Sequence, residues 1–309
     1  MRLSVITINY NESESTIKLL KSLSGQSDKE FEIIVVDNAS EEADFNNLKT
    51  VINRQDLFKQ VLPVNLIRNS QNLGFSGGIN VGIEKAQDPP TSGGLDPAYS
   101  RASWALLLNN DTSVESGFID TLKAKLGGLE GIVGIPLIEG DRTAYYGHIA
   151  WLRPTLKHAY NPPYAEYLRR NRNLYAIGGA MAIHGDVFNR IGLFDEKYFL
   201  YFEDADFTLR ASRVNIPISF IDEPKVNHPE VSKTTKKIGS PLLLRYHYRN
   251  ALYFNWKNGT GYIKFLVWLW SFWIIKKQLL KIMFFYKQAD SSAILSGVFD
   301  FYKGKMGKI

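Results

Sequence analysis

Three carboxylates fall within four residues, at Glu203, Asp204 and Asp206, inside the aromatic run FDEKYFLYFEDADFTLR over residues 194–210. Ionised carboxylates among apolar side chains are costly unless a metal, a basic group or a proton offsets them. The residue types therefore suit metal binding, recognition of a basic substrate group, or proton transfer. A simpler account also applies, since carboxylates in the first turn of a helix complement its dipole. Asp195 in the same run reads as a local cap or turn residue.

A second group of polar residues sits where apolar runs end. Asn9 follows LSVITI (3–8), Asp37 follows FEIIVV (31–36), and Asn110 and Asp111 follow SWALLL (103–108). The runs are short and largely apolar, with β-branched residues in the first two, as expected of strands buried on both faces. Helical patterns lie between them, at 13–24, about 116–126, and from near Asp186 to Gly192. Further strands are expected at 64–68, 131–138 and 216–221, and the carboxylate run should open a helix reaching about Arg213. Such alternation defines an α/β, Rossmann-like fold with a mixed, mainly parallel sheet flanked by helices. In open sheets of this kind ligands bind at the carboxyl ends of the strands, where Asn9, Asp37, Asn110 and Asp111 lie. The loop Asn72-Leu73-Gly74-Phe75-Ser76-Gly77-Gly78 enters a helix. Its glycines do not follow GxGxxG, which argues against a dinucleotide-dependent oxidoreductase. Gly178-Gly179-Ala180-Met181 reads as a tight turn. Residues 88–100 read as a breaker-rich surface insertion, and 141–175 show no clear period.

Charge divides the chain. Its net charge of +6 combines a net −6 over residues 1–224 with +12 over residues 225–309. With no cysteine, disulfides and thiolate metal sites are excluded. The N-terminal run MRLSVITINYN lacks the basic region and long apolar core of a secretory signal. Residues 242–256 look helical. Residues 262–286 are strongly apolar, but Lys264, Lys276, Lys277 and Lys281 leave only 265–275 uninterrupted. That is too short to cross a bilayer, which takes ~20 apolar residues. Trp and Phe beside Lys suit a helix lying on an anionic membrane surface, with an ordinary buried helix or a dimer seam as the alternative. The same apolar run fits nucleic-acid binding poorly.

Six segments together resemble the family 2 glycosyltransferases of GT-A fold: VITINYN, VVDNAS, NLGFSGGINVG, LLLNNDT, GGAM and FDEKYFLYFEDADFTLR, in that order. The bacterial rhamnosyltransferases and galactofuranosyltransferases of cell-surface polysaccharides are especially similar. The resemblance implies a nucleotide-sugar-binding and catalytic domain over 1–228 and a basic, aromatic helical extension over 229–309. It implies inverting transfer from a dTDP- or UDP-sugar to a glycan or lipid-linked hydroxyl, with Mg²⁺ or Mn²⁺, at the cytoplasmic face of the cell membrane. By the same resemblance Asn9, Asp37, Asn72, Gly74, Gly78 and Asn110 line the nucleotide-sugar pocket. Asp111 holds the metal and diphosphate, joined by His228. Asp204 is the base, and Glu203 and Asp206 support it. The family's metal motif departs at Asn109, where a carboxylate is usual. That departure leaves open a catalytically inactive sugar-nucleotide or membrane-binding module. The chemistry matches the residue types: an attacking hydroxyl must lose a proton to a base, and a leaving diphosphate gains charge that a divalent cation can meet.

Overall fold

In the computed structural model the described residues are 1–54, 63–87, 104–162, 171, 173–228 and 240–309. The insertion expected at 88–100 lies outside them, as does the boundary expected after residue 228.

The chain opens with β1 (Leu3–Asn9), α1 (Ser13–Ser24), β2 (Phe31–Asp37), α2 (Glu42–Asn53), β3 (Val64–Arg68), α3 (Gly74–Gln87) and β4 (Trp104–Leu108). Strands β1–β4 are parallel, and the pairing β3-β2-β1-β4 places Asn9 directly beside Asp37. The short strand β5 (Ser113–Val114) and α4 (Phe118–Leu126) follow. The strand expected at 131–138 is in fact two, β6 (Ile132–Gly134) and β7 (Leu137–Glu139), which belong to different sheets. Pro136 interrupts the run, and proline supplies no N–H to a ladder.

The stretch without a clear period holds β8 (Arg142–Ala144), β9 (Tyr146–His148), β10 (Lys157–Ala159) and β11 (Leu174–Tyr175). Strands of two or three residues are too short to show an alternation. The turn expected at Gly178-Gly179 leads into β12 (Ala180–His184), which runs antiparallel between β4 and β6. Then come α5 (Gly185–Ile191), α6 (Glu203–Arg213), β13 (Ile218–Phe220) and β14 (Val226–His228). The main sheet has seven strands in the order β13-β6-β12-β4-β1-β2-β3. A four-stranded sheet, β5-β14-β7-β8, stands beside it, with a three-stranded sheet β10-β9-β11.

Two apolar clusters cover the two faces of the main sheet. One joins β1, β2 and β4 to α1, α2 and α4, and the other carries α3, α5 and part of α6. Leu3, Val5, Ile6, Ile33 and Ile34 are fully buried, each worth about 1.5–3 kcal/mol of transfer free energy. This is why apolar residues run on without alternation.

The C-terminal part is three helices, α7 (Pro241–Asn258), α8 (Gly261–Met283) and α9 (Gln288–Tyr302). Ser240 and Thr260 cap α7 and α8 through their hydroxyls, and Pro241 sits at the first position of α7, where its missing N–H costs nothing. Phe254 and Ala251 of α7 enter the main core, and Leu252, Val267, Ile274, Ile294 and Val298 bind the three helices into a smaller one.

Candidate active site

The site forms at the carboxyl ends of β1, β2 and β4. Asn9 is fully buried and its amide nitrogen lies 2.9 Å from Asp37 Oδ1, 3.0 Å from Ser40 Oγ and 2.9 Å from Asp44 Oδ2. Its carbonyl oxygen accepts from Thr16 Oγ1 at 2.8 Å. Asp37 is also fully buried, accepting from the Ser40 hydroxyl and N–H and facing Arg68 Nε at 3.6 Å. Asn9 and Asp37 thus shape the β1 and β2 ends through a satisfied polar network. The neighbouring Asn38, which sequence reasoning did not single out, lines the adjoining cavity and donates to the Gly74 carbonyl at 2.7 Å.

That cavity has a volume of about 420 Å³. Asn72, Gly74 and Asn110 line it, together with Asn109 and Tyr10. Asn72 turns the chain into α3 by accepting from the Gly74 N–H at 2.8 Å. Gly74 has φ +75°, and a Cβ there would fall 2.3 Å from the Phe199 carbonyl oxygen, so the turn needs glycine. Gly78 packs instead against Ile8 and Asn38, behind the cavity wall.

Asp111 and His228 come together through strand pairing. β5, just after Asp111, pairs with β14, which ends at His228. His228 Nε2 lies 3.5 Å from Asp111 Oδ1, a buried atom with no hydrogen-bond partner among the described residues. An orphaned carboxylate oxygen beside an imidazole is a donor set that suits Mg²⁺ or Mn²⁺. No group of three His, Asp or Glu side chains able to hold a metal occurs among the described residues. Two protein donors would therefore leave most positions to substrate oxygens and water.

The carboxylate run divides. A strained loop precedes it, with Phe199, Tyr201 and Phe202 at positive φ (62°, 71° and 76°). Asn250 of α7 holds this loop by donating to the carbonyls of Tyr198 (2.8 Å) and Leu200 (2.7 Å). Asp204 keeps partial exposure, and it accepts from the N–H groups of Gly178 (3.0 Å) and Ala205 (2.7 Å). Burial raises its pKa above the ordinary aspartate value, and those two N–H groups restrain the rise. Glu203 is buried, with Oε2 unpartnered among the described residues. Burial, and then the nearby Asp204 charge, push its pKa well up. Asp206 is fully buried on the opposite side of the helix start. It accepts from Tyr198 Oη (3.1 Å), Asn258 Nδ2 (2.7 Å), Arg210 Nε (2.9 Å) and Lys257 Nζ (2.8 Å). Asp195 completes this anchor by accepting from Lys257 Nζ and Tyr253 Oη, both at 2.8 Å.

One dipeptide ties the two halves of the site together. Gly178 donates to Asp204, and the Gly179 carbonyl accepts from the Asn109 N–H at 3.0 Å. A Cβ on Gly178 would lie 3.2 Å from the Asp204 Cβ, and one on Gly179 would lie 3.2 Å from Asn109 Nδ2. A side chain at either position would press its neighbour back by a few tenths of an ångström, so the glycines ease the close approach of the acidic helix start to the β4 end. Glu139 and His158 pair at 3.0 Å, and positive charge on His158 lowers the Asp204 pKa. Neither residue stood out in the sequence, because both lie in the stretch of very short strands.

A seven-stranded mixed sheet with polar strand ends and a helical C-terminal region is the GT-A architecture, and solved GT-A enzymes share it. The chain superposes on Staphylococcus aureus TarS 1-349 in complex with UDP-GlcNAc at TM-score 0.55 and 15% identity, covering 98% of this chain and 92% of that one. GalNAc-T7 with UDP, GalNAc and Mn²⁺ gives TM-score 0.61 and 16% identity, over 90% of this chain and 51% of that one. The sequence model of Glycosyl transferase family 2 matches residues 4–192. The chain belongs to that family, and it is a glycosyltransferase. A hexosyltransferase of low-salt glycan biosynthesis, Agl10 from Haloferax volcanii, is 28% identical over 70% of this chain, and the match spans only 63% of that protein. The N-acetylglucosaminyl-diphospho-decaprenol L-rhamnosyltransferase of Mycobacterium tuberculosis is 23% identical over 78% of this chain and 80% of its own length.

Proposed function

We propose that this enzyme transfers a hexose, rhamnose or galactofuranose among the candidates, from a nucleotide diphosphate sugar to a hydroxyl of a lipid-linked or cell-surface glycan precursor, with inversion. The observation that carries this reading is the Gly178-Gly179 bridge, which sets a partly exposed carboxylate of raised pKa against the β4 end that bears Asn109–Asp111. In the proposed reaction Asp204 takes the proton of the acceptor hydroxyl. The acceptor oxygen bonds to the anomeric carbon from the face opposite the donor oxygen. The bond to that donor oxygen breaks, and the nucleoside diphosphate leaves with the electron pair. Asp111 and His228 would hold a divalent cation, which when bound neutralises charge on the diphosphate. Glu203, whose pKa is pushed up by burial and by the Asp204 charge, would favour a single ionised carboxylate at the helix start. The names of the relatives support this reading: the mycobacterial relative is an L-rhamnosyltransferase, and GalNAc-T7 was solved with UDP and Mn²⁺.

The C-terminal helices would bring the site to a membrane. Val267, Ser271, Ile274 and Gln278 form the one buried stripe of α8. Phe265, Trp268 and Phe272 are 60%, 60% and 64% exposed, and Phe284 and Phe285 continue the apolar surface beyond the helix. An ordinary buried helix would not leave these rings in water. No helix among the described residues is long and apolar enough to cross a bilayer. Lys264, Lys276, Lys277 and Lys281 beside the rings favour an anionic surface.

The test is a mass-spectrometric screen of UDP-, dTDP- and GDP-sugars with polyprenyl-diphosphate-linked acceptors, followed by the anomeric configuration of the product. An inverted glycoside is expected, and retention would refute the single-displacement reading. Flotation on anionic vesicles should be lost in a Phe265→Ser, Trp268→Ser, Phe272→Ser variant; equal flotation would refute membrane docking by this face.

A further inference from the structure

The cavity at the strand ends is not closed by the catalytic sheet alone. Its outer wall is built from Leu242, Leu243 and Tyr246 of α7 and from Lys308 and Ile309 at the far end of the sequence. Those last residues are held firmly. Arg249, fully buried and with no carboxylate hydrogen-bonded to it among the described residues, gives its guanidinium to main-chain oxygens: Nη1 reaches the Gly307 carbonyl at 2.8 Å and Nη2 reaches Tyr198 O at 3.3 Å. The Gly307 N–H donates to the Lys197 carbonyl at 2.9 Å, and the Ile309 N–H donates to Tyr246 Oη at 2.8 Å. Lys308 is therefore fixed between two pinned neighbours. It is the single cationic side chain lining the cavity among the described residues, and it has no ion-pair partner there.

Lys308 is exposed and shares the cavity lining with one acid, Glu12, and its ammonium can meet an anion that enters the cavity. The donor class proposed above supplies one, since a nucleoside diphosphate carries at least two negative charges and gains another as its sugar bond breaks. Asn109 and Asn110 supply no charge of either sign at the β4 end. The two protein donors at Asp111 and His228 make a sparse metal site. The positive charge met by the diphosphate therefore cannot come from a densely ligated metal alone. We propose that Lys308 is a diphosphate-binding residue, and that the segment Met306–Ile309 is the outer wall of the donor site. This rests on the nucleotide-sugar reading, which it deepens by placing donor recognition partly in the C-terminal region.

The experiment is calorimetric titration of the full chain with uridine, UMP and UDP, and with thymidine, dTMP and dTDP, at fixed Mg²⁺. Three forms are compared: wild type, Lys308→Met and Lys308→Arg. Losing a charge-assisted contact costs roughly 10-fold or more in affinity. Lys308→Met should weaken the diphosphates by about that factor, leave the nucleosides unchanged, and be largely rescued in Lys308→Arg. Unchanged diphosphate binding in Lys308→Met, or an equal loss for nucleoside and diphosphate, would overturn the assignment of Lys308. Failure of wild type to bind any nucleoside diphosphate would instead overturn the donor class, and Lys308 with it. Thermal unfolding of the variants should match wild type, because Lys308 is exposed and makes no side-chain hydrogen bond among the described residues.

Discussion

Asp206 and the pair Glu203–Asp204 sit in the same helical turn, yet they are solvated by the protein in opposite ways. Asp206 has two cations, a phenol and an amide on its two oxygens. Asp204 has only backbone N–H groups, and Glu203 leaves one oxygen bare among the described residues. Helix periodicity turns Asp204 away from Asp206, two positions on, whereas Glu203, three positions before Asp206, differs from it in the partners it finds. A buried charge with full partners anchors structure. A buried carboxyl short of partners has a raised pKa and is poised to take a proton. Of the three acids that the sequence places together, Asp206 is thus a positioning residue, which fixes α6 to α7 so that Asp204 can face the β4 end.

The largest effect expected is on rate. Asp204→Asn should lower kcat by roughly 10²–10⁴-fold, the usual worth of a general base. Donor affinity and thermal stability should stay near wild type. Near-normal turnover would place the base elsewhere and erase the distinction between the two acids. The pH profile sharpens the point: the raised pKa of Asp204 puts the acid limb of kcat above the ordinary aspartate value. Activity rises with pH through that limb as the carboxylate forms.

The next effect is on stability and belongs to the other partner. Asp206→Ala would leave Lys257 and Arg210 facing each other without their shared carboxylate. Removing one member of a buried charge network typically costs about 3–5 kcal/mol. Urea denaturation should show that loss, and residual activity should be limited by the folded fraction. A stable but inactive Asp206→Ala enzyme would mean that Asp206 acts in the chemistry after all.

The parallel strands and the polar residues at their ends were legible because a doubly covered strand leaves an uninterrupted apolar run. The grouping of Asp111 with His228 came only through the family's motifs, and the contact of Asp204 with Gly178 was not legible, since Gly178-Gly179 reads only as a tight turn. No local rule links residue 111 to 228; that link depends on the pairing of β5 with β14. Arg249 and Asn250 fall in a stretch, 242–256, that reads only as helical. Nothing in their spacing says that they hold the carbonyls of 198–201 and 307, because main-chain acceptors leave no mark on the sequence. The exposed aromatic face of α8 was half legible: its composition showed aromatic residues beside lysines, and the burial stripe of α8 shows which of them reach solvent.

The smallest effect concerns Glu203, and its sign is the sharpest check on the comparison. An unfolded chain releases this proton near the ordinary glutamate value of about 4.3, whereas the native state holds it to higher pH. Between those two values the native state binds more protons than the unfolded state. The stabilisation from this group is therefore full below the unfolded value and declines as pH rises through the native one. Glu203→Gln cannot ionise, so it lacks that decline. Its melting temperature should gain on wild type as pH rises above the ordinary glutamate value, with each kcal/mol worth ~2–4 °C in a chain of this order of size. A gap that stays constant with pH, or that moves in favour of wild type as pH rises, would show that Glu203 is as well compensated as Asp206. The contrast within the turn would then reduce to Asp204 alone.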